Sequence, residues 1–194
     1  YASNKWIQIK SIIGSDGNDQ NIGRVSHIFE SSNSNIWISS DNGLFLYNRQ
    51  FWTHYSDHDN KDFSVKEIFE DDDGLIWLML EKDRAVKDIG QLGFSVAEGR
   101  LQMFDNGQWY NFPGMIGGSA AVLVGEPKDY FTSHFIDSKG YLWITSLDGL
   151  YVYDRRFWKE FNEEHLPSDK CYYMMELEDG EIWVATAGGL AKKD

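Results

Sequence analysis

Cysteine, proline, long apolar runs and positive charge are all scarce in this 194-residue chain, and each shortage excludes something. The single thiol, Cys171, cannot close an internal disulfide, so no disulfide framework holds the fold. It reads as a small buried hydrophobe. No apolar stretch approaches the roughly 18 residues that mark a membrane-spanning helix, so membrane insertion is not expected. No segment of useful length carries the 3.6-residue period of an amphipathic helix. There is no G-x-S-x-G elbow, no phosphate-binding glycine loop and no Cys–His arrangement in a recognisable context, so catalysis has little support. Eighteen Lys and Arg stand against 31 Asp and Glu, a formal charge of −13, which argues against nucleic acid and anionic membranes as partners.

Aromatic residues are plentiful: eight Trp, ten Tyr and twelve Phe. The tryptophans fall into two sets. Trp37, Trp77, Trp143 and Trp183 each follow Ile or Leu; Trp52, Trp109, Trp158 and Trp6 form the second set. Fifteen residues separate Trp37 from Trp52 and Trp143 from Trp158, while Trp77 and Trp109 are 32 apart, the same spacing plus an insertion of 17. Trp183 has no partner downstream, and Trp6 supplies one at the other end. A repeat split between the two termini is what a closed ring of repeats produces.

The stretches FESSNSNIW (29–37), FEDDDGLIW (69–77), FIDSKGYLW (135–143) and MELEDGEIW (175–183) align without gaps. Each is an apolar run, a polar turn and a second apolar run, the pattern of a β-hairpin. Gly74, Gly140 and Gly180 share a turn position with Ser34, which implies a backbone needing positive φ there. Gly43, Gly149 and Gly189 sit six residues beyond their Trp, in Asn-Gly, Asp-Gly and Gly-Gly pairs that favour tight hairpins. A fourth strand follows in FWTHY (51–55), QWYNF (108–112) and FWKEF (157–161), and KWIQI (5–9) fits the same pattern.

One unit is therefore a four-stranded antiparallel meander of about 40 residues, the size of a β-propeller blade. The expected fold is a single all-β propeller domain over 1–194, with four blades: 25–56, 65–112, 130–161, and 171–194 completed by 1–13. Residues 1–13 are expected to pair with the C-terminal sheet and bury Trp6. That burial removes about 150–250 Å² from water, a gross gain of roughly 4–6 kcal/mol. The competing assembly is a homodimer in which two chains exchange the N-terminal strand and close eight blades.

The unit G-x-I-W-x-x-(S/T)-x-x-G-L-x-x-Y-(D/N), best kept in NIWISSDNGLFLYN (35–48) and GYLWITSLDGLYVYD (140–154), resembles the two-component regulator propeller repeat. GEIWVATAGGLAKKD (180–194) keeps most of it, and GLIWLML (74–80) with RLQMFD (100–105) is an interrupted copy. The resemblance implies an extracytoplasmic sensor region, periplasmic or at the cell surface, that recognises oligosaccharides and takes part in signal transduction. Such sensors usually carry more repeats, a transmembrane helix and a kinase. The chain is thus either a free-standing four-bladed relative or part of something longer. The motif consists of core and turn residues, so it transfers no ligand contact.

Loops on a rigid scaffold are the usual place for recognition. Two long segments, 83–99 and 113–129, reach the same face beside the second blade, where they can form a ligand wall, a structural cap or an oligomer contact. The candidate ligand-binding residues on that face are His27, His58, Asp59, Arg84, Lys87, Phe94, Tyr130, Glu164 and His165. They suit an oligosaccharide or a protein partner. Asp16, Asn18, Asp57 and Asp59 offer oxygen ligands at alternating spacing but lack the distal glutamate of a calcium loop, so no metal and no cofactor is expected. The three functional readings are a carbohydrate-binding sensor, a protein–protein interaction scaffold, and a polysaccharide-acting hydrolase or lyase; the chain is expected not to be an enzyme.

Overall fold

The structure is a computed structural model describing residues 6–14, 17–55, 63–82, 87–88, 95–96, 99–105, 107–112 and 131–193. A short hairpin of β1 (Ser11–Ile13) and β2 (Asp19–Asn21) precedes the first sheet, which comprises β3 (Val25–Glu30), β4 (Ile36–Ser40), β5 (Gly43–Tyr47) and β6 (Trp52–Tyr55). The second sheet takes β7 (Phe63–Glu70) and β8 (Ile76–Lys82). A two-stranded excursion follows, β9 (Lys87–Asp88) with β10 (Ser95–Val96), and the sheet ends with β11 (Gly99–Asp105) and β12 (Gln108–Phe112). The third has β13 (Phe131–Ile136), β14 (Leu142–Ser146), β15 (Leu150–Tyr153) and β16 (Trp158–Phe161). The fourth has three strands, β17 (Cys171–Glu176), β18 (Ile182–Thr186) and β19 (Gly189–Lys193). All the ladders in these sheets are antiparallel meanders, as the repeat predicts. No helix among the described residues could cross a membrane.

The turn chemistry explains the register. Gly74, Gly140 and Gly180 have φ of 79°, 76° and 85°, and Ser34 takes 65° at the same repeat position without the freedom glycine has. At Gly140 a Cβ would collide with the Arg155 guanidinium, which reaches across from the turn before β16.

Successive sheets pack face to face. Trp37 and Leu44 of the first sheet share a core with Ile68, Ile76 and Leu78 of the second. Trp77, Met79 and Leu101 of the second share one with Ile144, Tyr151 and Trp158 of the third. Trp143 and Val152 of the third meet Met174, Ile182 and Val184 of the fourth. Polar clamps repeat at the turns: Ser32 donates to the Glu70 carboxylate through N and Oγ, and Ser138 does the same to Glu176. Between the second and third sheets Arg155 replaces the serine clamp, donating to Asp72 at 3.3 Å.

The expected closure of the last blade by residues 1–13 is not made among the described residues. Ser11–Ile13 pairs with Asp19–Asn21 instead, Trp6–Lys10 forms no strand, and Trp6 is 97% exposed rather than buried. The reason is local. Ile12 and Ile22 bury themselves on Ile38 and Phe45 of the first sheet, through a short turn whose closure costs little entropy. No hydrophobic cluster of the described residues joins the first sheet to the fourth.

Candidate functional site

The site is built by the four inner strands. In each of them the pairing slips by one residue at the same repeat position: between Val25 and His27, Val65 and Glu67, Phe131 and Ser133, and Cys171 and Tyr173. The extra residues are Ser26, Lys66, Thr132 and Tyr172. A bulge breaks the in–out alternation, re-aims the side chain and increases the local twist. All four lie at the strand end that receives the inter-sheet connections, the face on which recognition is expected. Ser26 Oγ lies 2.6 Å from Ser39 Oγ. The Thr132 hydroxyl donates to the Cys171 carbonyl at 2.8 Å, tying the third sheet to the fourth. Lys66 is exposed, and Tyr172 is half-buried.

One step below the bulges, His134 of β13 stacks on Phe69 of β7 with ring centroids 3.9 Å apart. Its Nδ1 lies 3.4 Å from Glu67 Oε2. Burial pulls the imidazole below its ordinary range, and the neighbouring Glu67 carboxylate opposes that pull. His134 stands where Ile28, Ile68 and Met174 stand in the other repeats, so a polar residue at an apolar repeat position was the signal available in the sequence.

Towards the outer strands of the third sheet, acidic groups gather around Tyr151. Burial raises its phenol, and Asp148, Glu160 and Asp169 raise it further. Glu160 is itself raised by burial, then by Asp148 and Asp169. The Cys171 thiol is pushed up to about 12 by burial, with Asp169 and Asp148 adding to it. Asp148 accepts from Ser146 Oγ at 2.5 Å. Both potential nucleophiles thus stay protonated at neutral pH, while the rim offers carboxylate acceptors suited to hydroxyl donors. Among the described residues no group of three or more His, Cys, Asp and Glu could hold a metal ion. Spacing gave no hint of this cluster, because Asp148, Tyr151, Glu160 and Asp169 come from different strands and turns.

Of the residues named from sequence, His27 is half-buried in β3, and its Nδ1 has no hydrogen-bond partner among the described residues. Glu164 and His165 are exposed in the connection from β16 to β17. Asn162 Oδ1 accepts from the Glu164 backbone N at 3.1 Å and lies 3.2 Å from His165 Nδ1. His165 also meets Phe161 edge-on, with centroids 5.6 Å apart. No hydrogen bond, ion pair or ring contact of the described residues joins His27 to Glu164 or His165. Lys87 lies on β9, and Asn18 is exposed in the turn of the first hairpin. Asp16, Asp57, His58, Asp59, Arg84, Phe94, Tyr130 and the segment 113–129 lie outside the described residues, as does most of 83–99.

Solved structures share this architecture. The chain superposes on the extracellular domain of the hybrid two-component system BT4673 from B. thetaiotaomicron with a TM-score of 0.50 at 19% identity, covering 96% of this chain and 21% of that one. It superposes on luciferin-regenerating enzyme with a TM-score of 0.53 at 13% identity, covering 92% of this chain and 62% of that one. The chain therefore spans about a fifth of the length of the BT4673 domain. These likenesses show an all-β, propeller-like fold. No protein-family model and no curated protein matches the chain.

Proposed function

We propose that this chain is a ligand-binding, sensor-type propeller domain that works outside the cytoplasm and recognises a carbohydrate on its loop face. The observation that carries this reading is the bulge repeated in all four inner strands. It supports a shared mouth where Lys66, Glu67, Tyr172 and the half-buried His27 and His134 supply donors, acceptors and ring faces on rigid strands. Carbohydrate is the ligand class that such a mixture suits, and the repeat resemblance points the same way. The likeness to an extracellular domain of a two-component system supports an extracytoplasmic setting and a sensor role. In this reading the protein binds its ligand without turning it over, and burial keeps the Cys171 thiol from the deprotonated state an activated nucleophile needs.

A glycan array followed by titration calorimetry tests the reading. At least one oligosaccharide should bind, and Glu67→Ala should weaken it about tenfold, the loss of one charge-assisted hydrogen bond. A blank array, with no thermal shift from any sugar, would rule it out. The interaction-scaffold reading is favoured by one separate observation, the exposure of Tyr173, Met175 and Leu190 on the fourth sheet.

A further inference from the structure

The joints between sheets differ just below the bulges. The repeat places His27 and Ile68 at the first joint, Glu67 and His134 at the second, and Ser133 and Met174 at the third. The second pair alone combines a carboxylate with an imidazole. The same joint differs at its other end. There Arg155 lies 3.3 Å from both Asp72 and Asp73, where the first and third joints use Ser32 with Glu70 and Ser138 with Glu176. Along their backbones β3 runs close beside β7 and β13 beside β17, whereas among the described residues β7 and β13 stand further apart. Their meeting is made by side chains, with charge at both ends of the joint.

His134 spans this gap. Its ring lies on Phe69 with centroids 3.9 Å apart and 18° between the planes. The side chain is 15% exposed, which leaves a path for a proton. Nδ1 lies 3.4 Å from Glu67 Oε2, longer than a charge-assisted hydrogen bond of about 2.7–2.9 Å. The Glu67 side chain is 48% exposed. Beside a neutral ring its carboxylate therefore stays open to hydroxyl donors. A charged ring has an N–H on both nitrogens and attracts the carboxylate, so the contact shortens. Glu67 is the group whose charge acts on the ring. On the same strand, Lys66 is exposed at the bulge, and Glu70 is engaged by Ser32 at the far end. β14 carries no titratable side chain. β17 brings Cys171, Tyr172, Tyr173 and Glu176, the last engaged by Ser138 at the far end.

We propose that this joint couples recognition to acidity: a proton taken up by His134 turns a loose contact into an ion pair and withdraws the Glu67 carboxylate from the loop face. The inference rests on the carbohydrate-binding reading of that face. Burial holds the ring neutral at neutral pH, and Glu67 favours its charged form. Uptake therefore falls below the ordinary histidine value of about 6.5. The carboxylate is available above the folded-state value and is withdrawn as pH falls through it, so binding weakens in mild acid.

Two measurements on the full chain test this. Imidazole NMR, with the His134 signal assigned through His134→Gln, follows its titration midpoint. The midpoint should move to lower pH in Glu67→Gln, which lacks the charge that favours the imidazolium. The oligosaccharide array is then probed with labelled protein at about pH 7.5 and about pH 5.5. The sugar signal should fall roughly threefold in the wild type, a size suited to a half-exposed pair. In His134→Ile the fall should be smaller, since only the ordinary titration of Glu67 remains. An unchanged midpoint in Glu67→Gln overturns the proposal whatever the array shows. Equal wild-type signals at the two pH values, or a fall in His134→Ile that matches the wild type, overturn it and leave the carbohydrate reading standing. A blank array at both pH values overturns that reading and this inference together.

Discussion

Ser31 and Leu177 stand where Asp71 and Asp137 stand, and that one repeat position divides the inner tryptophans. Trp77 and Trp143 donate their indole N–H to the Asp71 and Asp137 carboxylates at 2.8 Å. Trp183 uses Glu181 at 3.1 Å, and the Trp37 N–H, opposite a serine, finds no partner among the described residues. Burial lifts the Asp71 carboxyl above its ordinary range against the pull of the indole and backbone donors. Asp137 also accepts from the backbone N of Lys139 and Tyr141 at 3.0 and 2.8 Å. Asp137→Ala strands all three donors, which should cost roughly 2–3 kcal/mol and lower the melting temperature by about 4–12 °C. A circular-dichroism melt at pH 7 checks this; a change under 2 °C would contradict the accounting. Ser31→Asp should act in the opposite direction, raising the melting temperature by about 1–4 °C as the Trp37 N–H gains an acceptor.

At the scale of the strand, what matters is which face each residue takes, and here the sequence was only partly legible. Gly74, Gly140, Gly180 and the Trp positions announced hairpins and register, because turn geometry and alternation are local. The bulges at Ser26, Lys66, Thr132 and Tyr172 have no residue signature, since a slip is set by what the opposite strand offers. His134 is the consequence that can be measured. Its folded-state imidazole lies below the ordinary value, so the fold favours the neutral ring. The stability it brings is complete above pH of about 6.5 and is lost as pH falls from there through the folded value. The melting temperature should therefore drop more steeply between pH 7.5 and 5.5 in the wild type than in His134→Ile, which restores the residue the first two repeats carry. Parallel curves would remove His134 from the account. Glu160 has the opposite dependence. Its carboxyl is raised, so the penalty of ionising it appears as pH rises past the ordinary glutamate value, and Glu160→Gln should stabilise at pH 7 but not at pH 4. Thermal melts at the two pH values check this, and an equal gain at both would contradict it.

At the scale of the whole molecule, each core of the described residues joins only sheets adjacent in the chain, so stability should behave as a sum of sheets and joints. Among the described residues the first and fourth sheets each share a core with one neighbouring sheet only. Matching KWIQI to the other outer strands predicted a strand that the structure does not form, since Trp6–Lys10 lies outside every sheet. Whether that strand forms depends on the accumulated twist of the sheets rather than on any residue pattern. A local hairpin on Ile38 and Phe45 therefore took the neighbouring residues first. Hydrogen exchange can read the result strand by strand. β15 is paired on both sides, whereas among the strands of the described residues β19 has β18 as its one neighbour. In dilute protein the amides of Gly189–Lys193 should exchange much faster than those of Leu150–Tyr153. If β19 exchanges as slowly as β15, its outer edge is already covered in solution.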